Sequence, residues 1–169
     1  MTKPSRTTGR LALAFIGAPA LLALLSWSSV PAQVLPVAGV VPSGPGRVEE
    51  SDPSVIYTGV WLTQRRADLS GGSIVESPYP ISTASLTFTG TGIRWIGYKA
   101  AWGGIAQVYL DGALKETVDT YAASEQAQAV IYTATGLAAG AHTITIKVTG
   151  TWNPAGCCSW VVVDAFDVM

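Results

Sequence analysis

Hydrophobic and polar positions alternate in short runs along most of this chain. From Ala84 to Thr89, Leu86 and Phe88 fall on one face; from Thr143 to Val148, Ile144, Ile146 and Val148 do the same. A period of two belongs to a half-buried strand. Further strands are expected over Val55 to Thr63, Ile93 to Tyr98, Ile105 to Leu110, Leu114 to Val118, Gln126 to Thr133 and Trp160 to Val168. Asp111-Gly112 is the strongest hairpin signal, and Thr89-Gly90-Thr91-Gly92 and Gly136 to Gly140 read as turns. No segment has helical periodicity. Many short strands with regular turn signals predict an all-β domain, a two-sheet antiparallel β-sandwich.

If each successive strand reverses, alternate connections fall at the same end. One set is short: Gly90 to Gly92, Asp111-Gly112, and Gly136 to Gly140. The other is long: Arg65 to Pro80, Lys99 to Gly103, Asp119 to Glu125, and Thr149 to Ser159. The long set would gather Tyr79, Lys99, Trp102, Tyr121, Trp152 and Asn153 at one end, and loops on a rigid scaffold are where binding is usually built. Trp61, Trp95 and Trp160 lie within strands and are expected in the core.

The N-terminus reads differently. Lys3, Arg6 and Arg10 precede an apolar run from Leu11 to Leu25, and Val30-Pro31-Ala32 offers small residues at a cleavage site. Residues 1–32 are expected to be a signal peptide, so the protein is expected to be secreted. The rival reading is a membrane anchor, but the run is shorter than the ~20 residues a spanning helix needs. Residues 33–46, punctuated by Pro36, Gly39, Pro42, Gly44 and Pro45, read as a linker. The folded domain is expected over 47–169.

The 169 residues are 49% hydrophobic and 12% charged, which excludes the usual disordered class. Loss of the export segment leaves seven basic against eleven acidic side chains. That balance supplies no footprint for nucleic acid, which needs clustered Lys and Arg; Arg65-Arg66, the one basic pair, reads as a solvated loop. Cys157 and Cys158 are neighbours and cannot staple distant strands. In an exported protein a bridge between the two is expected, with an intermolecular bridge as the alternative.

Several pieces together resemble the bacterial extracellular galactose-binding-like jelly-roll domains, often treated as carbohydrate-binding modules. They include Ser51-Asp52-Pro53, Tyr57-Thr58-Gly59, Ser70-Gly71-Gly72-Ser73, Phe88-Thr89-Gly90-Thr91-Gly92, Arg94-Trp95-Ile96-Gly97, Val108-Tyr109-Leu110-Asp111-Gly112, Gly136-Leu137-Ala138-Ala139-Gly140 and Val163-Asp164-Ala165-Phe166-Asp167-Val168. The resemblance implies a two-sheet jelly roll and recognition of a carbohydrate or glycan. It also implies a structural calcium held by acidic residues near the first and last strands. Glu49, Asp52 and Asp164 are the leading set, with Glu50 and Asp167 beside them. The competing reading, preferred on sequence alone, is that these are ordinary surface carboxylates and turn formers, with no cofactor.

Sugar recognition needs aromatic faces for the C–H side of a pyranose and polar groups for its hydroxyls. Trp102, Trp152, Tyr79 and Tyr121 could supply the first, and Lys99, Asn153 and Glu125 the second; the alternative is that each aromatic packs back on the core. Catalysis has little support. A serine nucleophile would need a base, and His142, the only histidine, sits at the plain-turn end. A glycosidase carboxylate pair stays open. The expectation is a secreted, non-catalytic glycan-binding module, with an adhesive domain binding proteins as the first alternative and a small exported glycan-active enzyme as the second. Oligomeric state is not legible.

Overall fold

The computed structural model describes residues 40–169. The expected signal peptide and residues 33–39 of the linker lie outside the described residues. Ten strands follow in order: β1 (Gly46–Glu49), β2 (Val55–Thr58), β3 (Leu62–Arg65), β4 (Ser73–Ser77), β5 (Thr83–Lys99), β6 (Gly104–Leu110), β7 (Ala113–Asp119), β8 (Gln126–Trp152), β9 (Val161–Val163) and β10 (Ala165–Val168). Seven pair in the order β1-β10-β5-β8-β6-β7 with β2 on β5, and three form a second sheet, β3-β4-β9. Every strand pair is antiparallel. The fold is an all-β sandwich with a single short 3-10 turn at Ser70–Gly72.

The runs expected as separate strands on either side of Gly90-Gly92 and of Gly136–Gly140 are continuous. β5 has 17 residues and β8 has 27; their ladder shifts register between Gly90↔Gly140 and Gly92↔Thr135, leaving residues 136–139 without a partner on β5, and resumes beyond. A straight strand of β5's length would span ~55 Å. Yet the chain leaves β5 at Lys99 and enters β6 at Gly104, which pairs with Trp152, while Thr83 at the far end of β5 pairs with Lys147. Five residues bridge at most ~18 Å, so the β5–β8 ribbon folds over at the glycines. Both halves of β5 accordingly face one core: Ala84, Leu86 and Phe88 before the fold, Ile93 and Trp95 after it. The glycines permit close approach there. A Cβ on Gly90 would lie 2.6 Å from the Met169 carbonyl oxygen, and one on Gly92 2.8 Å from that of Ala134. The chain direction still reverses as expected, by a corner rather than a hairpin turn.

Two expected strands are split. Gly59, at φ +80° and close against Ser82, separates β2 from β3. Asp164 divides the last run so that β9 joins β4 and β10 joins β1 and β5. Val161 and Val163 face the main core, as do Phe166 and Val168, so the alternation slips by one residue at Asp164. The Asp111-Gly112 turn forms as expected, with both residues at positive φ.

Candidate functional site

The three-stranded sheet has two packed faces. Val75, Val161 and Val163 point into the main core, whereas Ile74 and Val162 join a second cluster with Leu69, Tyr98 and Ala100. Alternation along β5 turns Tyr98 away from the side that carries Ile93 and Trp95. A cavity of about 420 Å³ opens over this second cluster. Gln64 (β3), Ile74 and Glu76 (β4), Tyr98 (β5), and Arg66, Trp102, Glu125 and Trp160 from the connections line it.

Tyr98 organises the pocket. Its ring stacks on Trp102 with centroids 5.4 Å apart and planes 12° from parallel, and the Arg66 guanidinium lies 5.2 Å from its centroid. Its hydroxyl donates to Glu125 Oε2 at 2.6 Å. Arg66 donates to both oxygens of Asp68, at 3.0 and 2.7 Å, and to Glu125 Oε2 at 3.2 Å. The Tyr98 hydroxyl and Arg66 together hold the Glu125 carboxyl below its ordinary range. Glu76 differs: burial raises its pKa, and a hydrogen bond with Gln64 offsets that only in part. One pocket therefore holds an ionised carboxylate and a carboxyl that resists ionisation.

The long connections do meet at one end. Ala100 bridges Tyr121 and Gly103 bridges Trp160; Cys157 N–H donates to the Ala101 carbonyl, and Ser159 Oγ to that of Pro78. The aromatic residues on them do not form one platform. Of the seven residues considered for sugar recognition, Trp102 and Glu125 line the cavity and the other five do not. Asn153 is turned into the loop framework, donating to Asp119 Oδ2 and accepting from Ala155 N–H. Tyr121 packs beside Gly156, and Lys99 pairs with Gln126 at the end of the β5 ladder. Tyr79 and Trp152 stand half exposed, at 51% and 48%, outside the cavity lining.

Three tryptophans expected in the core take different places. Trp95 is fully buried and donates its indole N–H to the Val162 carbonyl at 3.1 Å. Trp61 is half-buried against Tyr57. Trp160 is half-buried and faces the cavity, because it precedes β9 rather than lying within it. Arg66 is likewise no merely solvated loop residue. Cys157 and Cys158 are bonded to each other in the structure. His142 has both ring nitrogens engaged, by Asp111 Oδ2 at 2.7 Å and the Ala138 carbonyl at 2.8 Å, which pins the β6–β7 turn to the ribbon corner.

A second constellation lies where β1 ends. Ligand atoms of Glu49, Glu50 and Asp164 fall within 4.8 Å of one another. Ser70 donates through Oγ to Glu49 and through N–H to Asp164 Oδ1, at 2.9 and 3.0 Å. One oxygen of each carboxyl, Glu49 Oε2, Glu50 Oε2 and Asp164 Oδ2, is buried without a hydrogen-bond partner. Burial, reinforced by the Glu50 and Glu49 charges, pushes the Asp164 carboxyl up to about 7. The reading as surface carboxylates is therefore corrected for Glu50 and Asp164, which are 2% and 0% exposed. Asp52 is not part of the group: it caps its own turn, accepting from Ser54 N–H and Oγ. Asp167 is paired with Arg47. Three hard oxygen donors with unpartnered lone pairs fit a calcium ion, which takes six to eight oxygens.

No family model matches the chain. Two proteins of Flavonifractor plautii are similar to it over 99 residues, 59% of its length: an A type blood alpha-D-galactosamine galactosaminidase at 39% identity and an A type blood N-acetyl-alpha-D-galactosamine deacetylase at 35%. The chain spans only 9% and 13% of those proteins. Among solved structures it is similar to a Paenibacillus xanthan lyase (TM-score 0.56, 14% identity, 78% of this chain and 14% of that one). It is also similar to a Bacillus subtilis glycoside hydrolase family 43 arabinoxylan arabinofuranohydrolase (TM-score 0.54, 19% identity, 77% and 28%). A two-domain esterase active on acetylated mannans gives a TM-score of 0.56 at 14% identity, over 85% and 41%. At these identities the solved structures show the fold alone: an all-β sandwich that recurs as one part of larger carbohydrate-active proteins.

Proposed function

We propose that the protein is a secreted, non-catalytic carbohydrate-binding domain of the galactose-binding-like type. Its sugar site is the pocket around Tyr98, and Glu49, Glu50 and Asp164 hold a structural calcium that ties β1 to the Ser70 turn and the β9–β10 junction. The stacked Tyr98–Trp102 pair within a 420 Å³ cavity carries the reading. A few hundred Å³ walled by aromatic rings, with a small number of fixed polar groups, is the usual form of a small-ligand site. The two sequence relatives, whose names give A type blood galactosamine and N-acetylgalactosamine, make glycans bearing those sugars the first to try.

A glycan array followed by calorimetric titration tests it. Binding by the parent that Trp102→Ala weakens is the expected result. A protein that binds no glycan, but captures a protein partner through the same loops, would be the adhesive domain instead.

The opposite protonation tendencies of Glu76 and Glu125 favour a second reading, a small glycan-active enzyme, since such pairs can divide acid and base roles. Release of reducing sugar from a bound glycan, lost in Glu76→Gln, would establish it in place of the first.

A further inference from the structure

We propose that the Tyr98 pocket selects a protonated amino sugar, a hexosamine with a free amine, over its N-acetyl and neutral counterparts. The inference rests on the carbohydrate-binding reading above and adds the charge of the ligand.

Three ionisable side chains of formal charge line the cavity: Glu76, Glu125 and Arg66. Arg66 is already consumed. Asp68 takes it through two hydrogen bonds and Glu125 through a third, and its face rests on the Tyr98 ring. Among the described residues, no free cation lines the cavity for an anionic sugar.

Glu76 is in the converse position. It is 9% exposed on β4, and among the described residues no cation comes within ion-pair distance of it. Its cross-strand neighbours are Leu62 and Val162, and burial disfavours its ionised form. A carboxylate in such a wall is stabilised by a ligand that brings the missing charge, through a charge-assisted hydrogen bond. A sugar ammonium does so while its ring lies along the aromatic walls, where a cation is attracted to the ring faces. An N-acetyl group brings no charge and adds bulk at the same point. A lysine side chain would bring the charge but no hydroxylated ring for Gln64 and the aromatic walls.

The test is calorimetric titration at about pH 6.5, where an amine titrating near ~8 is protonated. The probes are galactosamine and glucosamine, their N-acetyl forms, galactose and glucose. The amino sugar should bind about tenfold or more tighter than its N-acetyl and neutral partners. Glu76→Gln should bring that ratio close to one while still melting cooperatively. Glu125→Gln, whose carboxylate is exposed, should also lower the ratio and serves as the second variant should Glu76→Gln fail to fold. Equal binding of neutral or N-acetyl sugars, or a preference that survives both substitutions, would overturn this inference and leave the carbohydrate-binding reading standing. Absence of binding to all six sugars would overturn both, as would capture of a lysine-bearing peptide in their place.

Discussion

Tyr98 and Trp102 stack across the exit of β5, four residues apart, with their planes 12° from parallel. Tyr98 is fixed at the end of a ladder, and Trp102 follows it on the connection that leads into β6. Arg66 on the Tyr98 ring and Glu125 on its hydroxyl complete the arrangement. The pocket thus gathers residues of several connections around one buried tyrosine.

That relationship separates two tryptophans that the sequence groups together. Trp102→Ala removes one wall of the cavity and should weaken glycan binding by about 1–3 kcal/mol, the range of a hot-spot aromatic. Trp152→Ala removes a side chain that stands half exposed outside the lining and should leave the affinity unchanged. Calorimetric titration of both variants decides. If Trp152→Ala weakens binding as much as Trp102→Ala, the site extends to the loop tips and the Tyr98 pocket is not its centre.

Trp95→Ala should behave as a scaffold change. Trp95 is fully buried between the folded halves of the β5–β8 ribbon, and its indole N–H satisfies the Val162 carbonyl. Truncation leaves a large cavity and an unpaired acceptor, and should cost about 3–5 kcal/mol. Chemical denaturation reads this directly. A loss below about 1 kcal/mol would mean that the core at this point collapses around the gap.

The sandwich was legible because its signals are local. Alternation at Leu86–Phe88 and Ile144–Val148 and the Asp111-Gly112 turn need no knowledge of the rest of the chain. The clustering of long connections was legible too, since it follows from counting reversals. What local pattern cannot show is a one-residue slip or a ribbon that bends without ending. Asp164 reads as one more position in the run from Trp160 to Val168, yet it divides the run between two sheets and turns a carboxyl inward. The pocket escaped for a related reason. Arg66 and Glu76 belong to the β3–β4 hairpin, and only the packing of the small sheet against the end of β5 brings Tyr98 to them. Glu76 did carry a signal, a carboxyl on the same strand face as Ile74.

The cysteine pair gives a mass prediction. With Cys157 and Cys158 bonded to each other, the protein should have a monomeric mass lower by two hydrogens than the reduced chain, under non-reducing conditions. Two alkylatable thiols, or a dimer that reduction dissolves, would be the contrary result. The bond lies in the connection that also carries Trp160 and touches Ala101 next to Trp102. Mild reduction should therefore loosen this connection, visible as faster amide exchange there, without unfolding the sheets.

The acidic triad predicts how stability responds to metal and to pH. Asp164 titrates at about 7 in the folded domain and near ~3.9 in an unfolded chain. Between those values the folded state keeps a proton that the unfolded state has lost, so stability falls as pH rises through that window. The metal-free protein should therefore melt at a higher temperature near pH 5 than near pH 7.5. Calcium supplies positive charge where the proton otherwise sits, and should restore stability at the higher pH. At a concentration a hundred times its dissociation constant, a ligand specific for the folded state adds about 2.7 kcal/mol. Chelation should reverse that gain. Asp164→Asn removes both the late-titrating carboxyl and one oxygen charge of the site, so its melting temperature should depend little on either pH or calcium. Thermal melts of the two proteins at both pH values, with calcium and with chelator, test every part. A parent that melts identically with and without calcium at pH 7.5 would mean that the three carboxyls hold no metal. A parent that gains stability between pH 5 and 7.5 without metal would mean that Asp164 is ionised in the folded domain after all.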